Sequence, residues 1–237
     1  MAFGTERQIL AGTAADRAVI DEGLRQYMLR VYNYMGSGLA LTGIVAYVVA
    51  HTGLYQALFS SGIGFVVMFA PLGIVFFMGA KMKTMKPSTA QTLFWVFSIL
   101  MGASLSYVFL TYTATSIVRV FFITAATFGA MSLYGYTTKR DLTGWGSFLF
   151  MGLIGVIIAM VVNIFMQSSV MYFVISVVGV LVFTGLTAYD TQRIKEEYHE
   201  HDDATTAGKK ALFGALRLYL DFVNLFIMLL HFFGNRE

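Results

Sequence analysis

The sequence predicts an all-α membrane protein of seven transmembrane helices, with the last helix central in the bundle. Three observations carry this reading. Of the 237 residues, 57% are hydrophobic and only 12% are charged, about half the charged share of a soluble domain. Mean hydropathy is +0.71. Seven segments reach the roughly 20 apolar residues that a bilayer-crossing helix needs: 31–51, 61–80, 90–112, 116–137, 146–165, 170–189 and 213–233. These runs are continuous rather than alternating, which excludes a transmembrane β-barrel. In lipid, a helix satisfies such a backbone internally.

Residues 1–30 carry Glu6, Arg7, Asp16, Arg17, Asp21, Glu22, Arg25 and Arg30, with no apolar run before a small-residue cleavage site. They read as a polar cytoplasmic tail with a short amphipathic stretch over 18–29. Residues 31–237 read as the transmembrane domain, and its first helix serves as the insertion signal. Gly36 and Ala40 in the first span, and Gly152, Gly155 and Ala159 in the fifth, have the small-residue spacing that lets helices approach. Pro71, followed by Gly73, predicts a kink in the second span. Pro87 falls in the charged loop after it. His51 and Asn163 lie near span ends and read as interfacial. The seventh span holds Arg217 and Asp221. It is read as crossing fully, with re-entry as the alternative that would return the C-terminus to the cytoplasm.

Lys and Arg set the orientation. Arg7, Arg17, Arg25 and Arg30 precede span one. Lys81, Lys83 and Lys86 follow span two, Lys139 and Arg140 follow span four, and Arg193, Lys195, Lys209 and Lys210 follow span six. The other loops between spans have none. The N-terminus is therefore placed in the cytoplasm and the C-terminus outside. The same pattern accounts for the pI near 9.0, so the basic residues mark topology and no nucleic-acid partner is expected. The chain has no cysteine, which excludes a thiolate metal site and a Cys nucleophile.

Ionisable groups inside a membrane are costly and tend to be functional. Two acids stand out: Asp190, ending Leu186-Thr187-Ala188-Tyr189-Asp190, and Asp221 in Leu218-Tyr219-Leu220-Asp221. Counted from the cytoplasmic side, Asp190 lies about one turn in. Asp221 lies about two turns in, or roughly 12 Å at 1.5 Å per residue. They can meet between helices and share a proton. The plainer reading pairs Asp190 with Arg193 and Asp221 with Arg217. On a helical wheel Arg217, Asp221, Asn224, Met228 and His231 share one stripe of about 80°. A stripe of this kind faces protein or water, which makes span seven central. His199 and His201, in the run 196–203, read as part of a solvated acidic loop, and no metal site is expected. Gly-rich phosphate loops and H-E-x-x-H are absent. Tyr189-Asp190 looks like half of a presenilin-type protease signature. Arg217-Leu218-Tyr219-Leu220-Asp221 lacks the glycines of the other half, so no enzyme activity is expected.

Three stretches resemble the transmembrane Bax inhibitor motif family, in particular its bacterial inner-membrane members: 131–142 (MSLYGYTTKRDL), 185–192 (GLTAYDTQ) and 218–226 (LYLDFVNLF) with Phe233-Gly234-Asn235. The likeness runs from about Tyr27 onward. It implies seven helices with the last wrapped by the other six, and a pH-sensitive calcium leak across the membrane. It implies that the aspartate pair matching Asp190 and Asp221 is the pH sensor. It also implies a latch onto that pair from a basic residue at the cytoplasmic end of the second span, where Lys81, or Lys83, is the match. Lysine lacks the bidentate fork of arginine there. Some bacterial relatives are linked instead to a membrane-bound quality-control protease. Two functions are therefore expected. One is a Ca²⁺ leak gated by protonation of Asp190 and Asp221, with no cofactor beyond the conducted ion. The other is a non-conducting protein that binds a membrane protease through the N-terminal tail or the charged segment 191–212.

Overall fold

A computed structural model describes the backbone of residues 2–60 and 62–236, and side chains from residue 21 onward within those ranges. Among the described residues the chain forms helices α1 (Ala2–His51), α2 (Leu54–Phe59), α3 (Ile63–Lys81), α4 (Pro87–Leu105), α5 (Tyr107–Thr111), α6 (Ala114–Thr137), α7 (Thr143–Met166), α8 (Ser169–Glu196) and α9 (Ala204–Phe233). Seven helical segments are long and apolar enough to cross a membrane, with α4 and α5 acting as one. Their order is the one the hydropathy predicts.

The boundaries differ in instructive ways. The first span is longer than 31–51, because α1 is continuous and Tyr27, Met28, Val31 and Met35 form a buried stripe at helical spacing. The polar segment before it is helical too; the side chains of Glu6, Arg7, Asp16 and Arg17 lie outside the described ones. Ser61, where the second span was expected to begin, also lies outside the described residues. Pro87 opens α4 rather than sitting in a loop, a position where its missing N–H is no loss. Span three breaks at Ser106, whose hydroxyl donates to the Ala103 carbonyl at 2.6 Å. The segment 191–212 is mostly helix. Asp203 caps α9 by accepting from the Thr206 N–H at 2.7 Å, and hydrogen bonds from Thr206 hold its carboxyl below the usual range.

The last helix occupies the centre. α9 packs against α8, α1, α6 and α4, and Ala211–Leu216 are buried without a break. α7 is its opposite: Gly146, Leu149 and Val156 are its buried residues, and its outward face is apolar and suited to lipid. α9 is one unbroken helix over Ala204–Phe233, long and apolar enough to cross a membrane. At its far end Thr113 donates its N–H to the Asn235 carbonyl at 3.1 Å, Asn235 donates to Ser116 Oγ at 3.0 Å, and Arg119 donates to the Phe233 carbonyl at 2.9 Å.

Small residues mediate contact at positions other than those spacing singled out. Gly152 does meet Val182, but Gly36 and Gly155 have nothing within 4 Å of an added Cβ. Gly36 and Ala40 instead line an apolar cleft beside α6. The tightest approach of one helix backbone to another is Gly135 of α6 against the Ala188 carbonyl of α8. Replacing Gly135 with Val should force these helices apart, at a cost of roughly 1–3 kcal/mol or more. It should lower the thermal unfolding midpoint in detergent, whereas Gly155→Val, in open space, should leave it near wild type.

Candidate functional site

Two helices on the periphery create the site. α3 packs chiefly on α4 and α7 on α8, and the space between them is a cavity of about 770 Å³. Its walls are largely apolar, with Pro71 from α3, Phe97 from α4 and Phe150 from α7. Its polar groups come mainly from α8 and α9: Asp190, Arg193, Arg217, Asp221 and Asn224.

The antiparallel register of α8 and α9 brings these groups together. Gly179 faces Met228 at one level and Gly214 faces Ile194 at another. Between these levels the carboxyl groups of Asp190 and Asp221 are in side-chain contact. Asp221 is 5% exposed, and its Oδ2 has no hydrogen-bond partner among the described residues. One turn toward the basic loops, Arg217 donates from Nη1 to Glu197 Oε1 at 2.8 Å. Arg193 Nε lies 3.6 Å from the same oxygen. The pairing of Asp190 with Arg193 and Asp221 with Arg217, expected from spacing within each helix, is thus replaced by two arginines converging on Glu197. The cause is geometric. Asp190 and Arg193 of α8 and the Glu197 that caps it lie three and four residues apart on one line, and the antiparallel crossing sets Arg217 opposite the end of that line.

Glu197 is the residue the sequence reading missed. It sits in the run read as a solvated acidic loop, yet it is half-buried. Asp202 in the same run pairs with Lys210 Nζ at 2.6 Å. The signal that could have found Glu197 is its i+4 spacing from Arg193.

A family model described as inhibitor of apoptosis-promoting Bax1 matches residues 24–237, which include all of this cluster. The chain belongs to the Bax inhibitor-1 family. It is 52% identical over 226 residues to a Rickettsia prowazekii protein, covering 95% of this chain and 96% of that one. It is 47% identical over 237 residues to a Caulobacter vibrioides protein, covering 94% and 95%. It is 44% identical over 219 residues to the inner membrane protein YbhL of Escherichia coli K12, covering 91% and 94%. It is an integral membrane protein with a relative named for the inner membrane.

The remaining predicted residues separate in this Bax inhibitor-1 fold. Lys81 and Lys83 are exposed at the end of α3, and neither lines the cavity. The cations beside the aspartates are Arg217 and Arg193. Asn224 lines the cavity and donates to the Leu220 carbonyl at 2.8 Å. His231, on the same stripe, is at the other end of α9 and faces the Tyr172 ring, with centroids 4.7 Å apart.

Buried polar side chains fix the two site helices. Tyr219 Oη and Thr42 Oγ1 are 2.7 Å apart, tying α9 to α1. Gln192 accepts from the Leu142 N–H and donates to the Arg140 carbonyl, both at 2.8 Å. Lys195 Nζ donates to the Tyr136 carbonyl at 2.8 Å. Gln192→Leu leaves two backbone groups of the α6–α7 connection unpaired. It should cost about 1–3 kcal/mol, read as a lower unfolding midpoint in detergent, while Gln192→Glu, which keeps one acceptor, should lose less.

Proposed function

We propose that the chain is a pH-sensitive cation leak of a bacterial inner membrane, with Ca²⁺ as the conducted ion and the Asp190–Asp221 pair as sensor. The observation that carries this is the contact of two carboxyl groups at the polar wall of a membrane-embedded cavity. Two carboxylates in a desolvated site repel, and a shared proton relieves the repulsion. Losing that proton leaves adjacent hard oxygens of the kind Ca²⁺ takes as ligands. Asp190, Asp221 and the amide oxygen of Asn224 supply fewer oxygens than the six to eight that Ca²⁺ prefers. Water would complete the shell, which suits passage rather than storage.

The family resemblance supports the same reading, and the charge pattern places the end bearing Arg193, Glu197 and Lys210 in the cytoplasm. No catalysis and no bound cofactor enter this account. The lipid bilayer is the medium, and the cavity between α3 and α7 is the stretch of path that the bundle provides. The test is Ca²⁺ entry into dye-loaded proteoliposomes from mildly acidic to mildly alkaline pH. Wild type should show a pH-dependent flux, and Asp221→Asn a flux that no longer follows pH. Folded protein giving no flux above empty liposomes would reject the leak.

A further inference from the structure

α1 and α6 each pack on α9, but neither is a principal neighbour of the other. The gap between them is a groove floored by Phe222, Val223 and Phe226 of α9. Two cavities follow one another along it. One, of about 690 Å³, is walled by Gly36, Ala40 and Gly43 of α1 and by Val118, Phe121 and Phe122 of α6. The other, of about 530 Å³, begins one turn away at Tyr32 and reaches Arg25 and Tyr136. Ile44, Val118 and Phe122 on the rim are exposed, so the groove opens toward lipid. It shares no lining residue with the aspartate cavity.

The two ends differ in chemistry. The larger cavity is apolar apart from Thr42, whose hydroxyl is held by Tyr219 and the Ser98 carbonyl. It follows α1 from Gly36 to Ala46, about 15 Å at 1.5 Å per residue. That is half of a hydrocarbon core of about 30 Å, the depth of one leaflet. The smaller cavity is polar and cationic. Tyr32 Oη and Ser132 Oγ are 2.6 Å apart within it. Lys195 is half-buried and lies over the Tyr136 ring at 5.3 Å. It uses one N–H on the Tyr136 carbonyl and has two more to give. Arg25 is exposed, and its ion pair with Glu22 is 3.4 Å long and faces solvent, so it is weakly held. Lys139 and Arg140 follow the same end of α6.

We infer that the groove between α1 and α6 binds one anionic glycerophospholipid from the leaflet at its basic end. Arg25 and Lys195 meet the phosphate, and an acyl chain lies over Gly36, Ala40 and Gly43. The ester groups fall at the level of Tyr32 and Ser132. Arginine presents a fork of donors that suits phosphate oxygens. The glycines leave room for the chain, because a Cβ added at Gly36 or Gly43, or at Gly129 across the groove, meets nothing within 4 Å. A neutral lipid would leave the two cations unmatched. A partner helix could use the spacing of Gly36 and Ala40 but has no need of the cations. An anionic lipid answers both ends of the groove, and its binding does not depend on conduction.

The experiment adds dioleoyl phosphatidylglycerol or dioleoyl phosphatidylcholine to the full-length protein in mild detergent. Native mass spectrometry counts the bound lipid, and the unfolding midpoint is recorded alongside. Phosphatidylglycerol should bind at one per chain and raise the midpoint, as a ligand of the folded state does. Phosphatidylcholine should bind about tenfold more weakly or worse, the loss of one charge-assisted contact. Inorganic phosphate should give no rise in the midpoint. Gly36→Leu and Gly43→Leu fill the groove where there is room, so they should fold and lose the bound lipid. Gly155→Leu, equally roomy but on α7, should keep it. Arg25→Gln with Lys195→Gln should bring phosphatidylglycerol down to the level of phosphatidylcholine. If that pair does not fold, Arg25→Gln alone should weaken phosphatidylglycerol binding by about tenfold. Equal binding of the two lipids, full binding in folded Gly36→Leu, or no bound lipid on folded wild type overturns the inference. So does a rise in the midpoint with phosphate alone. A dimer that Gly36→Leu abolishes without loss of lipid would assign the groove to a second copy of the chain and overturn it as well.

Discussion

Asp221 lies on the helix most withdrawn from lipid, and an ionisable group at such a place must be met by polar groups from its neighbours. Much of the bundle can be read as the answer to that requirement. α8 crosses antiparallel to α9 and supplies Asp190, Arg193 and the Glu197 that follows its end. α1 supplies Thr42 to Tyr219 two residues before Asp221. α6 holds α8 close, with Gly135 seated on the Ala188 backbone two residues before Asp190. The register of α8 on α9 sets the carboxyl groups of Asp190 and Asp221 side by side between the two helices.

The outer helices answer a different need. α3 and α7 touch the centre through single neighbours, and their apolar faces are satisfied by lipid. The gap between them gives the aspartates a chamber of about 770 Å³ without breaking any backbone hydrogen bonds of the core helices. At the opposite end, Asn235 and the Phe233 carbonyl tie the last helix to the start of α6, and Arg236 lies over the rings of Tyr112 and Tyr172. The site is thus framed by rigid helices behind and lightly held helices in front.

Much of this was legible in the sequence because the signals are strong ones. Long apolar runs in a charge-poor chain gave seven spans in the right order, and matched depth on sequential helices singled out Asp190 and Asp221. What failed depended on neighbours in space. The spacing of Arg193 and Arg217 from the aspartates on their own helices suggested pairs that the antiparallel crossing redirects to Glu197. Lys81, placed by sequence at the end of α3, lies outside the residues that line the cavity. Gly36 has packing spacing but nothing within 4 Å of an added Cβ, while Gly135 has a close partner and no spacing signal. Gln192 looks like an ordinary polar residue until the α6–α7 connection is seen to rest on it.

The central claim is that one proton and a divalent cation compete for the Asp190–Asp221 pair. Its most direct test is the proton release that follows Ca²⁺ addition to the purified protein in weakly buffered, mildly acidic solution. The account predicts release of close to one proton per chain, absent from the Asp190→Asn, Asp221→Asn double variant. Release of the same size from that variant, or none from folded wild type, would contradict it.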